Sequence, residues 1–341
     1  MICHGNVKVC YLIGLMHILL FHPVKLPPVH YGGTERVALW LMRTLASMGH
    51  KITAHAEAGS LLPAGIELIS DPEILRARAS EFDLVHSFTK LSPDWYECFR
   101  QKVIVTIHGN GQKNEKFHKN TVFISRNHAE RHGAKVFVYN GLDPSELEFN
   151  SEPRPDRFLF LSKTSWKVKN LSGAMTYADQ ARQNLWVAGG ERPFHLRARL
   201  FAQKLTGKDW RWVGAVTQAE KAHFLTQGKA LIFPVLWNEP FGLVMVEALL
   251  SGTPVLANPY GSVPEILEFA PQCLLSNESS WLAALKGEIK LPSAKECREW
   301  ALSKFDQKIM AREYLKLYER VASGEMLNEH DPMTKVGADE I

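Results

Sequence analysis

This sequence is short of cysteine, of long apolar runs and of a dominant charge, and each shortage closes off a class of protein. It has five cysteines in 341 residues (Cys3, Cys10, Cys98, Cys273 and Cys297). They are odd in number and never stand at C-x-x-C spacing. A disulfide framework and a cysteine-held zinc site are therefore not expected, and a reducing, cytoplasmic setting fits. The apolar run Val9–Phe21 is only about 13 residues, against the ~20 that a bilayer-spanning helix needs. It has no small-residue cleavage site either, so it is not read as a signal peptide. Basic residues number 40 and acidic residues 36, a formal charge of +4. That balance falls well short of a nucleic-acid-binding chain, and no nucleic-acid partner is expected. No repeat of fixed period is present, and no two aspartates stand two residues apart.

What is present is an ordinary globular composition, 45% hydrophobic and 22% charged. The length suits two domains of roughly 150 residues. Short apolar runs alternate with helical stripes in both halves, which predicts an α/β chain built on parallel sheets. Strands are expected at His17–Phe21, Lys51–His55, Asp83–Ser87, Val103–Gly109, Thr121–Ser125 and Val136–Tyr139. A second series is expected at Phe158–Ser162, Leu185–Ala188, Arg211–Val213, Leu231–Val235, Pro254–Ala257 and Gln272–Leu275. Thr34 reads as the cap of a first helix, and Asp306 opens a last helix carrying Met310, Tyr314, Leu317 and Val321. The polar, proline-bearing stretch Asn150–Asp156 reads as a linker. The expected division is an extension at 1–15, a first domain at 16–152, a second at 153–323 with its last helix at 306–323, and a disordered tail at 324–341. Met16 reads as the start of the folded chain.

The most telling stretch is Asn238-Glu239-Pro240-Phe241-Gly242-Leu243-Val244-Met245-Val246-Glu247-Ala248, with Gly252-Thr253-Pro254-Val255 after it. An apolar strand comes first, then a loop with one glutamate, then a helix carrying a second, Glu247, eight positions further along. In an open parallel sheet the crevice beyond the strand's carboxyl end receives ligands. The free amides of a helix start favour an anion there. Carboxylates accept hydrogen bonds from vicinal hydroxyls, so two of them point to a ligand with both phosphate and sugar.

This stretch resembles the retaining glycosyltransferases of the GT-B fold, family 4, also called glycosyl transferases group 1. Gly261-Ser262-Val263-Pro264-Glu265 fits the same spacing, and the likeness runs from Met16 to about Ala322. It implies two Rossmann-like domains facing a cleft, with the last helix crossing back to the first domain. It also implies transfer of a hexose from a nucleoside-diphosphate sugar to an acceptor hydroxyl on a glycan or lipid-linked saccharide, with retention. By the resemblance Glu239 contacts the donor sugar and Glu247 the ribose. His108, in Thr106-Ile107-His108-Gly109-Asn110, lies against the donor sugar. Gly32 and Gly33, before the first helix, approach the donor or acceptor closely.

Further candidates come from the same likeness. Lys163 and Lys169 hold the diphosphate, with Lys167 the alternative. Lys163 stands where the family usually has arginine, so it offers a point charge without the bidentate fork. Gly189, Gly214 and Val216 frame the nucleotide, and Phe241, Gly242 and Leu243 line the donor loop. No cofactor is expected. The absent D-x-D suits a metal-independent reaction, with lysines and a helix dipole facing the leaving diphosphate. His128 and His132 share a helix face as in zinc sites, but no third ligand is evident. Lys113, Lys116, Lys119, Arg126, Arg131 and Lys135 read as a solvated face, or alternatively as a peripheral contact with an anionic membrane. A nucleotide-sugar epimerase of the same architecture and a non-catalytic relative are the alternatives.

Overall fold

The computed structural model describes residues 14–28, 32–100, 102–152, 154–190 and 207–337. Cys3, Cys10, Pro153, residues 1–13 of the expected extension and 338–341 of the expected tail lie outside the described residues. The first half forms a parallel sheet of β1 (His17–Phe21), β2 (Lys51–His55), β3 (Glu67–Ile69), β4 (Leu84–Ser87), β5 (Val103–Thr106) and β6 (Thr121–Val122) in the order β3-β2-β1-β4-β5-β6. The second half forms another from β7 (Phe158–Leu161), β8 (Leu185–Ala188), β9 (Trp210–Gly214), β10 (Ala230–Phe233) and β11 (Val255–Ala257) in the order β11-β10-β7-β8-β9. Strands buried on both faces read as unbroken apolar runs, which explains HILLF, FLFL and ALIF. Along β1, Ile18 and Leu20 face one core and Leu19 and Phe21 the other, the period-2 alternation of a strand.

Each sheet reverses its winding at one place, between β1 and β4 in the first and between β7 and β10 in the second. Loops leaving the carboxyl ends of those strands meet in the cleft, where such a sheet takes its ligands.

Two segments join the halves side by side. Leu142 N–H donates to Phe305 O at 2.9 Å, and Gln307 N–H donates back to Leu142 O at 2.9 Å. A Cβ on Gly141 would stand 2.7 Å from Gln307 Cα, so only glycine permits this approach. The helix Ala294–Phe305 packs on Leu243–Leu250 in the second half. The chain then turns at Asp306, whose Oδ1 accepts from Lys308 N–H at 2.7 Å, and the helix Gln307–Ala322 lies on the first domain. There Tyr318 Oη bonds His86 Nδ1 at 2.6 Å, His86 Nε2 bonds Thr106 Oγ1 at 2.8 Å, and Thr106 Oγ1 bonds Tyr314 Oη at 2.9 Å. Burial pushes the His86 imidazole down to about 3.

Several expectations need correction. β3 has only three residues with a half-buried pattern, too little apolar signal to read as a strand. Val136–Tyr139 makes only the single bridge Phe123–Phe137, and Gln272–Leu275 is a 3-10 turn with one bridge to Ala257. The first helix begins at Gly33 with Gly32 at its cap, one turn's edge before Thr34. Residues 325–337 are not a free tail. Leu327 is buried, the Asn328 side chain donates to Lys119 O and Thr121 O, and Met333 pairs with Lys116. An asparagine serving two loop carbonyls and one buried leucine carry no periodic signal, so this strap reads as tail. Among the described residues, no helix is long and apolar enough to cross a membrane.

Candidate active site

A cavity of about 220 Å³ lies between the two domains, lined by Gly32, Gly33 and Arg36 from the first and by residues of three second-domain loops. Lys163 and Lys169 come from the segment after β7, Glu239 and Gly242 from the loop after β10, and Glu247 from the helix Leu243–Leu250.

Glu239 is held by its loop's backbone. Four successive carbonyls are all bonded: Asn238 O by Asn110 Nδ2 at 2.9 Å, Glu239 O by Ser262 N–H at 2.9 Å, Pro240 O by Ser125 Oγ at 2.7 Å, and Phe241 O by Ser262 Oγ at 2.9 Å. Asn110 and Ser125 belong to the first domain, so the loop is fixed from both sides of the cleft. Asn110 is itself oriented by Arg131 Nη2 at 2.7 Å. A Cβ on Gly261, at φ +65°, would stand 2.3 Å from both Glu239 N and Glu239 O, which accounts for the glycine there. The Glu239 carboxylate accepts from Lys169 Nζ at 2.5 Å and from Trp237 Nε1 at 2.7 Å. Lys169 Nζ sits 4.7 Å from the centre of the Trp237 ring, a cation–π contact that helps hold a part-buried ammonium.

Glu247 is buried and paired with Lys221 Nζ, a residue of the helix Gln218–Leu225. Burial pulls the Lys221 ammonium below its ordinary value, and the adjacent Glu247 carboxylate opposes that pull. The Arg36 charge acts on Lys221 as a like charge from across the cleft. Gly242 caps the helix Leu243–Leu250 at φ +80° and has no side chain to offer its amides, while Leu243 and Val244 line the cavity. The positive end of that helix therefore opens into the site. A Cβ on Gly33 would meet Leu243 Cδ1 at 2.9 Å, so the first domain's turn lies directly on this helix start.

The remaining candidates sort differently. Lys163 is exposed at the cavity edge, 5.0 Å from the Trp166 ring, and Val216 also lines the cavity. Lys167 is exposed and is not among the lining residues. Gly189 is a strand-end packing residue: at φ +122° a Cβ would stand 1.7 Å from Ser162 O. Gly189 N–H donates to Gly214 O at 2.7 Å, and neither glycine lines the cavity. Phe241 is buried against Phe305 at 5.7 Å and Tyr139 at 6.2 Å, away from the lining. His108 is not in this cavity either. It faces a second one, of about 370 Å³, formed by the first domain alone. His128 bonds Gly109 O and His132 bonds His128 O, and among the described residues no group of three metal-ligating side chains occurs. In the basic stretch, Arg131 is buried and bonded to Asn127 and Asn110, which leaves Lys113, Lys116, Arg126 and Lys135 exposed.

Sequence reasoning missed Lys221, Arg36, Asn110 and Ser125. Lys221 is one charge in a helix of mixed polarity, and only the fold brings it to Glu247. Arg36 stands three residues after Gly33, and its position beside that turn was the available signal.

Two doubly wound parallel sheets facing a cleft, tied by a last helix that returns to the first domain, make the GT-B architecture. AviGT4, a glycosyltransferase involved in avilamycin A biosynthesis, superposes with a TM-score of 0.72 at 21% identity over 91% of this chain and 98% of that one. Anabaena Alr3699/HepE, solved in complex with UDP and glucose, gives a TM-score of 0.66 at 14% identity over 89% and 99%. Residues 144–291 match the family model described as Glycosyl transferases group 1. An uncharacterized 41.2 kDa protein in the cps region of Klebsiella pneumoniae is 30% identical over 122 residues, 34% of this chain and 34% of that one. The chain thus aligns with about a third of the length of the curated relatives it matches.

Proposed function

We propose that the protein transfers a hexose from a nucleoside-diphosphate sugar to an acceptor hydroxyl, with retention and without a metal ion. The observation carrying this reading is the convergence of Glu239 and Glu247, each with its own lysine, on one interdomain cavity beside an uncapped helix start. Glu247 is positioned to accept from the ribose hydroxyls and Glu239 from those of the sugar. The amide end of Leu243–Leu250, with Lys163 and Lys169, supplies positive charge where the departing diphosphate gathers negative charge. That charge is the support for metal independence. Retention rests on the family likeness.

The Anabaena structure with UDP and glucose supports a nucleoside-diphosphate hexose as donor, and the Klebsiella cps relative supports a polysaccharide setting. His108 acts from the neighbouring cavity, and Gly32 and Gly33 line the donor cavity. We place the protein in the cytoplasm, with the exposed Lys113, Lys116, Arg126 and Lys135 available to an anionic membrane surface. Binding to phosphatidylglycerol vesicles that weakens with salt would support that last point.

The test of the reaction is a thermal-unfolding panel of nucleotide sugars. A donor at ~100 times its Kd adds roughly 2.7 kcal/mol. The winning donor is then assayed for nucleotide release with Glu239→Gln, which should lose at least about a hundredfold in turnover. Unchanged turnover in Glu239→Gln and Glu247→Gln would refute the site.

A further inference from the structure

We infer that the second cavity, lined by the first domain alone, seats an uncharged sugar end of the acceptor, and that His22 is the residue that selects it. This rests on the transferase reading above and adds the acceptor's chemical class. The cavity is lined by His22, Thr34, Glu35, Phe88, Lys90 and His108 among others.

Its imidazoles differ from the structural histidines of the fold. His86, fully buried beneath the final helix, has both ring nitrogens bonded. His22 is only 6% exposed, yet neither its Nδ1 nor its Nε2 has a partner, and the Nε2 of His108 has none. His132 Nε2 is also unpartnered, but its ring packs between Phe117 and Phe123 and lines neither of these two cavities. A buried polar atom without a partner costs about 1–3 kcal/mol, so three in one wall mark a place meant to be filled by hydrogen-bonding groups. Burial holds His22 down to about 4 and His108 down to about 3, and the neighbouring His22 adds to the effect on His108. Both rings are therefore neutral near pH 7. His22 then offers one donor and one acceptor, the complement of a pair of sugar hydroxyls, and His108 Nε2 adds a third hydrogen-bonding atom. At about 370 Å³ the space exceeds what one or two bridging waters need, at about 30 Å³ each.

The charge of the wall excludes an anion. Lys90 Nζ is bound to Glu115 and to Lys116 O, and it lies 4.4 Å over the Phe117 ring. Glu35 adds a carboxylate to the same wall. A phosphoryl or carboxylate group entering here would meet that negative charge with no uncommitted lysine or arginine among the described lining residues. Phe88, 5.6 Å from His22 and 5.8 Å from His108, offers an apolar ring to the face of a pyranose.

Position links this space to the reaction. Gly32, Gly33 and Arg36 line the donor cavity, while Thr34 and Glu35 line this one, so a single turn separates the two. An acceptor hydroxyl reaching past that turn would bond its oxygen to the donor's anomeric carbon as the bond from that carbon to the diphosphate oxygen breaks. The nucleoside diphosphate leaves with the electron pair, and the hydroxyl proton leaves with it.

The experiment uses the full chain and saturation-transfer NMR with methyl glycosides of glucose, galactose and mannose, each against its 6-phosphate, alongside thermal unfolding with UDP. The wild type should bind at least one neutral glycoside, and the phosphates at least tenfold more weakly. His22→Leu should weaken the glycoside tenfold or more while stabilisation by UDP stays unchanged. Glu35→Lys, which leaves His22 in place, should raise the relative binding of the 6-phosphate at least fivefold. Phosphates binding as well as glycosides, or selectivity unmoved in Glu35→Lys, would overturn the inference. So would UDP binding with no glycoside bound at all, which would mean the space holds water. Glycoside binding that depends on His22 without any nucleotide stabilisation would instead sink the transferase reading, and with it the acceptor role, leaving only a neutral-sugar site in this cavity.

Discussion

Replacing Lys221 by methionine removes one partner of the ion pair that holds Glu247. Lys221 and Glu247 expose 10% and 5% of their side chains, so neither charge is offset by solvent. Taking one member from such a pair costs about 3–5 kcal/mol, because the survivor stays buried and uncompensated. For a domain of this size that is roughly a 10 °C fall in Tm. Lys221→Met/Glu247→Leu removes both charges and should recover most of the lost stability, since a packed apolar pair replaces a buried ionic one at little cost. It should not recover turnover, because the carboxylate proposed to hold the ribose is gone. Urea unfolding at constant m value reads the stability, and nucleotide release reads the activity. A single variant within about 0.5 kcal/mol of wild type, or a double variant as unstable as the two singles added, would refute the reasoning.

Gly189→Ala should destabilise by on the order of 4 kcal/mol or prevent folding, because its Cβ would overlap Ser162 O; urea unfolding or the soluble yield measures this. Glu265→Ala removes the acceptor for Arg126 N–H, Asn127 N–H and Tyr139 Oη, costing about 2 kcal/mol. Burial first and Glu265 second raise the Tyr139 phenol, so its ionisation, followed by ultraviolet titration, should move down in that variant. His22 and His108 have folded pKa values below the unfolded 6.5, so the unfolded state binds more protons between those values. Stability is fully present above pH 6.5 and is lost as pH falls; for His22 the loss is roughly 2 kcal/mol by pH 5. His22→Asn should flatten that part of a stability-against-pH series.

The sheets were legible because parallel strands buried on both faces print as apolar runs, as in His17–Phe21, Phe158–Leu161 and Ala230–Phe233. The glutamate loop was legible because Pro240, Gly242 and Gly261 each answer a local backbone demand that sequence displays. Lys221, Asn110 and Ser125 were not, since their partners lie 26, 128 and 115 residues away and nothing local marks them. Phe241 and Gly189 show the converse: motif residues that the fold uses for packing rather than for lining the cavity. The strap at 325–337 was invisible because an asparagine bonded to carbonyls has no periodicity to read.

The last helix also sets a timetable for synthesis. Tyr314 closes onto Thr106 across 208 residues of chain. At 5–20 residues per second a ribosome takes roughly ten to forty seconds to cover that distance. Throughout that interval the underside of β4 and β5 waits without its aromatic cover. A nascent chain stalled before Gln307 would therefore show an adhesive amino-terminal half, and chaperone demand should end when Tyr318 emerges.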